Sequence, residues 1–265
     1  MLAAIPALAP NGTRADKRAV EAALRSAMPA GGSQVARAMA YAVLGEAGRV
    51  RPLLAVNVGQ LSGASNAAVM RCAVAVELVH SASLIVDDLP CMDNDAIRRG
   101  RPSVHMAFGE ATAILAAHSL VALAARHVVA DCEITPDAAL ARFQCKLLGV
   151  LAPSSLTGGQ EMDLAKSGSR AEINEKKTAP LFRLAVEAGM VGSRLTADEV
   201  FALRKFGREF GLAFQLVDDY LDGELAATSV AAEQLRVTCR NLDGFGAEAE
   251  PLREMVEDLH ERMRA

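Results

Sequence analysis

Apolar residues along this chain recur three and four positions apart almost throughout, the spacing that lines one face of an α-helix. Ala, Leu, Glu and Arg dominate these stretches, and alternating β-branched runs are few. The pattern predicts helices over 16–29, 33–46, 64–88, 110–131, 136–151, 171–191, 196–222 and 247–264. Breaks are expected at PAGGS (29–33), LSGAS (61–65), GRP (100–102), TGG (157–159) and in GELAATS after Asp222. Asp16, Ser33, Thr135 before Pro136, and Thr196 stand where helix-starting residues belong. The fold class implied is all-α, a bundle of long helices around a deep central cavity. The apolar run 111–130 is long enough to cross a bilayer, but His118, Arg126 and His127 interrupt it. It is read as a buried core helix, and no stable membrane insertion is expected.

Composition narrows this further. The chain has 265 residues, of which 51% are hydrophobic and only 4% aromatic. No Pro/Gly-rich linker divides it, so 1–265 is expected to form a single domain. A net charge of −4 argues against a nucleic-acid partner. The five cysteines (Cys72, Cys91, Cys132, Cys145, Cys239) are odd in number and include no CxxC pair. They fit reduced thiols in a cytoplasmic protein better than a disulfide framework or zinc site. The opening MLAAIPALAP is short, carries two prolines and lacks a basic leader, and is read as a flexible or docking tail. The phosphate-loop patterns GxxxxGK[ST] and GxGxxG are absent.

The chemistry sits in two acidic clusters on apolar stretches. HSASLIVDDLPCMDNDAIRRGRP carries Asp87, Asp88 and Asp93, and GLAFQLVDDYLD carries Asp218, Asp219 and Asp222. A buried, unpartnered carboxylate costs several kcal/mol, so such clusters are tolerable where cations fill the space between them. Clustered carboxylates suit a hard cation such as Mg²⁺, which bridges readily to phosphate oxygens. Asp218 and Asp222, four apart, share one helix face, with Asp219 about 100° round and Gln215 one turn earlier. A solvated acidic helix end accounts for the second cluster alone equally well. Leu89-Pro90 ends the first helix and can turn Asp93, Arg98 and Arg99 back toward the same space. Arginine forks match phosphate oxygens, which makes Arg51, Arg98 and Arg99 candidate phosphate ligands. His80, two turns before Asp87, is a further donor, or a core histidine bonded to a carbonyl. Lys177-Thr178 interrupts an apolar helix, and Gln160 and Asp163 share a face if their segment is helical.

These motifs together resemble the trans-isoprenyl (polyprenyl) diphosphate synthases, the family of farnesyl and geranylgeranyl diphosphate synthases. DDLPCMDND with RRGRP resembles the first aspartate-rich motif and GLAFQLVDDYLD the second. GGQEMDL resembles GQxxDL, KTAPLF the KT-containing helix, and RVRPLL the end of GGKRxRP, so the match runs from about Tyr41 to Asp222. The resemblance implies that Asp87, Asp88, Asp93, Asp218, Asp219 and Asp222 hold Mg²⁺, with Mn²⁺ as an alternative, on an allylic diphosphate. Arg98 would contact that diphosphate, while Arg51, His80 and Arg99 would hold isopentenyl diphosphate. Lys177, Thr178 and Gln215 would line the place where the allylic cation forms. Ala82 and Ser83, one turn before Asp87, would bound the growing chain, and their small size implies a geranylgeranyl product, with farnesyl next. The family commonly forms homodimers. Gly48 stands where the family has a lysine, His118 where it usually has an aspartate, and no GK-containing loop follows the second motif. The alternative reading is a diphosphate-binding, non-catalytic homologue or regulatory subunit of such a synthase.

Overall fold

The structure is a computed structural model that describes residues 14–130, 137–221, 223 and 228–263. The expected N-terminal tail, the Thr135–Pro136 helix start and Cys132 lie outside the described residues, as does Asp222. The described chain is almost wholly helical. It opens with α1 (Arg14–Ala27), α2 (Gln34–Val43), α3 (Val50–Ser62) and α4 (Asn66–Asp87). A short hairpin follows, β1 (Ile97–Arg98) and β2 (Arg101–Pro102), then α5 (Val104–Phe108), α6 (Glu110–Val129) and α7 (Ala138–Gly149). The second half runs through α8 (Leu156–Leu164), α9 (Arg170–Lys177), α10 (Ala179–Gly189) and α11 (Ala197–Leu221). It ends with α12 (Thr228–Arg240), a 3₁₀ segment (Asp243–Ala249) and α13 (Glu250–Arg262).

α4 is the central post. Every residue from Cys72 to Val79 is buried, because α3, α6 and α10 cover it on different sides. One charge lies in that stretch, Glu77, and it is matched by Arg49 at 2.7 Å. Phe182, Phe206 and Phe210 knit α10 to α11, with Phe182 and Phe210 rings 5.6 Å apart edge to face.

Expected starts and stops largely hold. Ser33 caps α2 by accepting from the Ala36 N–H, and Thr196 and Glu199 cap α11 reciprocally. Gly63, with φ 64°, ends α3 within LSGAS. Four expectations need correction. The predicted helix 171–191 divides at Thr178, since Pro180 has no N–H to donate and its ring crowds the preceding turn. The expected break at 157–159 is the first turn of α8. Its glycines serve close packing: a Cβ on Gly158 would stand 1.8 Å from the Pro153 carbonyl oxygen, and one on Gly159 2.5 Å from the Lys177 nitrogen. Helices α3, α5, α8 and α12 form where none was predicted. Finally, α6 is not wholly interior: 33% of its most apolar window is buried, against 72% for α4, and Ile114 and Leu115 face outward.

Candidate active site

The two aspartate-bearing helix ends, α4 and α11, meet the α9–α10 break around a cavity of about 420 Å³. Asp87, Asp93, Arg98, Arg99, Arg51, His80, Lys177, Thr178, Gln215 and Asp218 all line it. The fold therefore brings together most of the residues singled out along the chain.

The first motif is shaped by backbone bonding. The Asp93 N–H donates to the Asp87 carbonyl at 2.9 Å, and the Met92 and Asn94 N–H groups both donate to the Leu89 carbonyl. Asn94 takes φ 55°, which closes the turn and brings Asp93 back beside Asp87. In the hairpin beyond, Arg99 (φ 54°) and Gly100 (φ 74°) form a two-residue turn of the type that left-handed residues favour. The turn pairs Arg98 with Arg101 across the strands. Arg101 donates to the Tyr41 carbonyl and lies 3.9 Å over the Tyr41 ring, which anchors the hairpin to α2.

Asp88 does not line the cavity. It is 2% exposed, accepts from Arg98 Nε at 2.8 Å, and shares that guanidinium with Asp95 at 2.6 Å. Asp219 is likewise turned aside. It accepts from Gln215 at 2.8 Å, Asn174 at 3.3 Å and Arg170 at 3.4 Å. The Thr178 hydroxyl donates to the Gln215 side-chain Oε1 at 2.9 Å, so Thr178, Gln215 and Asp219 form one hydrogen-bonded series. The expectation that all the motif aspartates face the metal is thus corrected for Asp88 and Asp219, whose hydrogen bonds hold neighbours in place. The cavity-facing carboxylates are Asp87, Asp93 and Asp218. Lys177 bonds to Asp163 at 2.7 Å and lies 3.8 Å from Asp93, while Arg262 of α13 reaches Asp218 at 3.4 Å.

Burial sets the electrostatics. It pushes the Asp87 carboxyl up to about 6, helped by Asp93 and opposed by Lys177. Asp88 is also raised by burial, against the pull of Arg98. On the opposite wall, burial lowers Arg51 to about 10, which leaves it charged at neutral pH. His80 is held well below its ordinary value by burial and by the Arg51 charge, so its imidazole is neutral. Arg51 Nη1 meets His80 Nε2 at 3.2 Å and its guanidinium lies 4.3 Å over Phe182. Its Nε is buried without a partner. A half-buried cation with a buried, unused donor, beside a neutral His80 and a second arginine, is suited to an anion.

Sequence reasoning missed Arg49, Asp95, Arg101 and Arg262. Arg49 is fully buried in a left-handed conformation at the start of α3. It bonds to Glu77, Glu21 and the Val43 and Gly45 carbonyls, and so fixes the helix that presents Arg51 two residues on. The signal for it was its place at the start of RVRPLL, the segment that resembles the end of GGKRxRP. Gly48 is exposed and lies off the cavity lining.

A metal fits the donor chemistry. Three carboxylates line one small cavity, and Asp87 lacks a compensating cation strong enough to cancel its burial. No three metal-binding side chains converge unaided among the described residues, so phosphate oxygens or water would complete such a site. A second cavity, of about 590 Å³, adjoins the first and shares Ser83, Asp87 and Leu156 with it. Its walls are mainly apolar, from Ala82 and Val86 of α4, Ala117 and Val121 of α6, and Leu164 of α8.

An all-helical fold with two aspartate helix ends facing an arginine wall, above an apolar pocket, defines a class of diphosphate-handling proteins. The chain belongs to the polyprenyl synthetase family, whose model matches residues 33–230. It is 37% identical over 219 residues to "Geranylgeranyl pyrophosphate synthase 10, mitochondrial" of Arabidopsis thaliana, covering 77% of this chain and 63% of that protein. It is 34% identical over 263 residues to "Heterodimeric geranylgeranyl pyrophosphate synthase large subunit 2" of the same plant, covering 92% of this chain and 69% of the relative. A solved structure, a geranyltransferase from Legionella pneumophila, superposes with a TM-score of 0.87 at 30% identity. That superposition covers 94% of this chain and 96% of the other.

Proposed function

We propose that this protein is a prenyltransferase that joins isopentenyl diphosphate to an allylic diphosphate and releases a geranylgeranyl product, with farnesyl as the shorter alternative. The carrying observation is the pair of adjoining cavities, one charged and one apolar, that meet at Asp87 and Ser83. An apolar cavity of about 150 Å³ holds benzene, or about 25 Å³ per carbon. On that scale the 590 Å³ pocket accepts roughly 24 carbons, enough room for a twenty-carbon chain.

Arg51, His80 and Arg99 are assigned to isopentenyl diphosphate, and Arg98 to the allylic diphosphate, with Asp88 holding Arg98 in place. Mg²⁺, or Mn²⁺ in its stead, would be held by Asp87, Asp93, Asp218 and Asp222, and when bound supplies Lewis-acid stabilisation of the departing diphosphate. Lys177, Thr178 and Gln215 direct a positive charge and oxygen dipoles at the reacting carbon and leaving group. The apolar walls exclude water that would otherwise capture the allylic cation. The double bond of isopentenyl diphosphate attacks that cation, and the proton then lost passes to the released diphosphate. Catalysis is favoured over a purely regulatory subunit because the cavity retains Asp87, Asp93, Lys177, Thr178, Gln215 and Asp218 together.

The described helices other than α9 contribute to one hydrophobic core, which supports reading the chain as a single domain. The outward Ile114 (43% exposed) and Leu115 (54%) of α6, with Leu148 (46%) of α7, support a homodimer through that face. The described cysteines Cys72, Cys91, Cys145 and Cys239 stand free, which supports a reducing, cytoplasmic setting. The test is to incubate purified protein with Mg²⁺, labelled isopentenyl diphosphate and each allylic starter, and to size the products. Twenty-carbon product that disappears in excess EDTA is expected. No incorporation with any starter would refute catalysis.

A further inference from the structure

The apolar pocket carries two titratable side chains that the proposed chemistry leaves unused, His118 on α6 and Glu161 on α8. Ser83 and Thr157, which share the wall, have their hydroxyls satisfied by the His80 and Leu151 carbonyls. The His118 and Glu161 side chains make no hydrogen bond or ion pair with another described residue, and both residues are exposed. Leu164, one turn beyond Glu161 on α8, is 44% exposed beside them. The pocket therefore has Ala82 and Val86 on its α4 side, with Ser83 and Asp87 where it joins the charged cavity, and is rimmed by solvated polar groups between α6 and α8.

We infer that His118 and Glu161 form a polar stop that limits product length by their need for water. The inference rests on the prenyltransferase reading above and names a specificity determinant within it. While the tail is short, water satisfies the imidazole and the carboxylate. One more isoprene unit pressed against them strips that water and offers no hydrogen bond in return. The cost falls on the longer chain only, so it acts as a length filter distinct from steric bulk at Ala82 and Ser83.

His118→Phe separates the two ideas, because phenyl is at least as bulky as imidazole but needs no hydrogen bond. A steric wall predicts shorter product from that variant, and a polar stop predicts longer. Wild type, His118→Phe, His118→Leu and Glu161→Leu are compared for product distribution at equal consumption of isopentenyl diphosphate. The expected result is about a 10-fold rise in the ratio of twenty-five-carbon to twenty-carbon product in each variant, equivalent to about 1.4 kcal/mol. Unchanged or shortened products from all three variants, with wild type making its usual product, would overturn the polar stop and leave the prenyltransferase reading intact. Absence of turnover in wild type would remove both.

Discussion

Replacing Asp87 with asparagine should stabilise the metal-free protein while abolishing turnover. Burial raises the Asp87 carboxyl from its ordinary 3.8 to about 6, with Asp93 adding to the effect and Lys177 opposing it. The folded protein thus holds this proton more tightly than the unfolded chain does. Between about pH 4 and pH 6 the native state binds more protons, so stability falls as pH rises through that window. Above it the full cost stands, about 3 kcal/mol as an upper bound. Asparagine keeps the shape and carries no charge. Lys177 is not orphaned by the change, because Asp163 at 2.7 Å and Asp93 at 3.8 Å remain its partners. In EDTA at pH 8, Asp87→Asn should therefore melt several degrees above wild type, about 2–4 °C per kcal/mol for a chain of this size. The advantage should vanish near pH 4. Urea or thermal melts at pH 4, 6 and 8 measure it directly. A variant less stable than wild type at pH 8, or an offset independent of pH, would refute the reasoning. Stability gained with activity lost is the signature of a site whose geometry costs the fold something.

Three further outcomes are expected. Ala82 is 3% exposed and lines the apolar pocket one turn below Asp87, so Ala82→Phe should shorten the product to fifteen carbons or fewer, read by radio-chromatography. Gly48 has open space at its Cβ, with only Val50 Cγ2 at 3.4 Å, so Gly48→Lys is tolerated. That variant should lower KM for isopentenyl diphosphate with little change in kcat, and an unchanged KM would show that the added ammonium does not reach the anion. Leu115→Glu on the outward face of α6 should convert a dimer to the 27.9 kDa monomer in light scattering, and a wild type already of that mass would end the dimer proposal.

Periodicity alone was enough for the long helices. α4, α6 and α11 carry continuous apolar spacing over 22, 20 and 25 residues, and a pattern that long has one secondary-structure solution. The paired aspartates were legible for a related reason: charge on an apolar helix is expensive, so its presence advertises chemistry. The breaks were less legible, because glycine serves two purposes that look alike along a chain. Gly63 stops a helix with positive φ, whereas Gly158 and Gly159 lie within one, since neighbouring backbone leaves no room for a Cβ. Which aspartates face the cavity was beyond the sequence altogether. Asp87 and Asp88 are adjacent, yet one lines the cavity and the other grips Arg98, because successive helical residues point about 100° apart and the hairpin sits on one side only. Arg49, Asp95, Arg101 and Arg262 took their places through contacts made across long sequence separations or unpredicted turns. The long helices, the acidic motifs and the family were legible in the residues alone. The direction each side chain faces, and the polar rim of the apolar pocket, were decided by how α4, α6, α8 and α11 pack against one another.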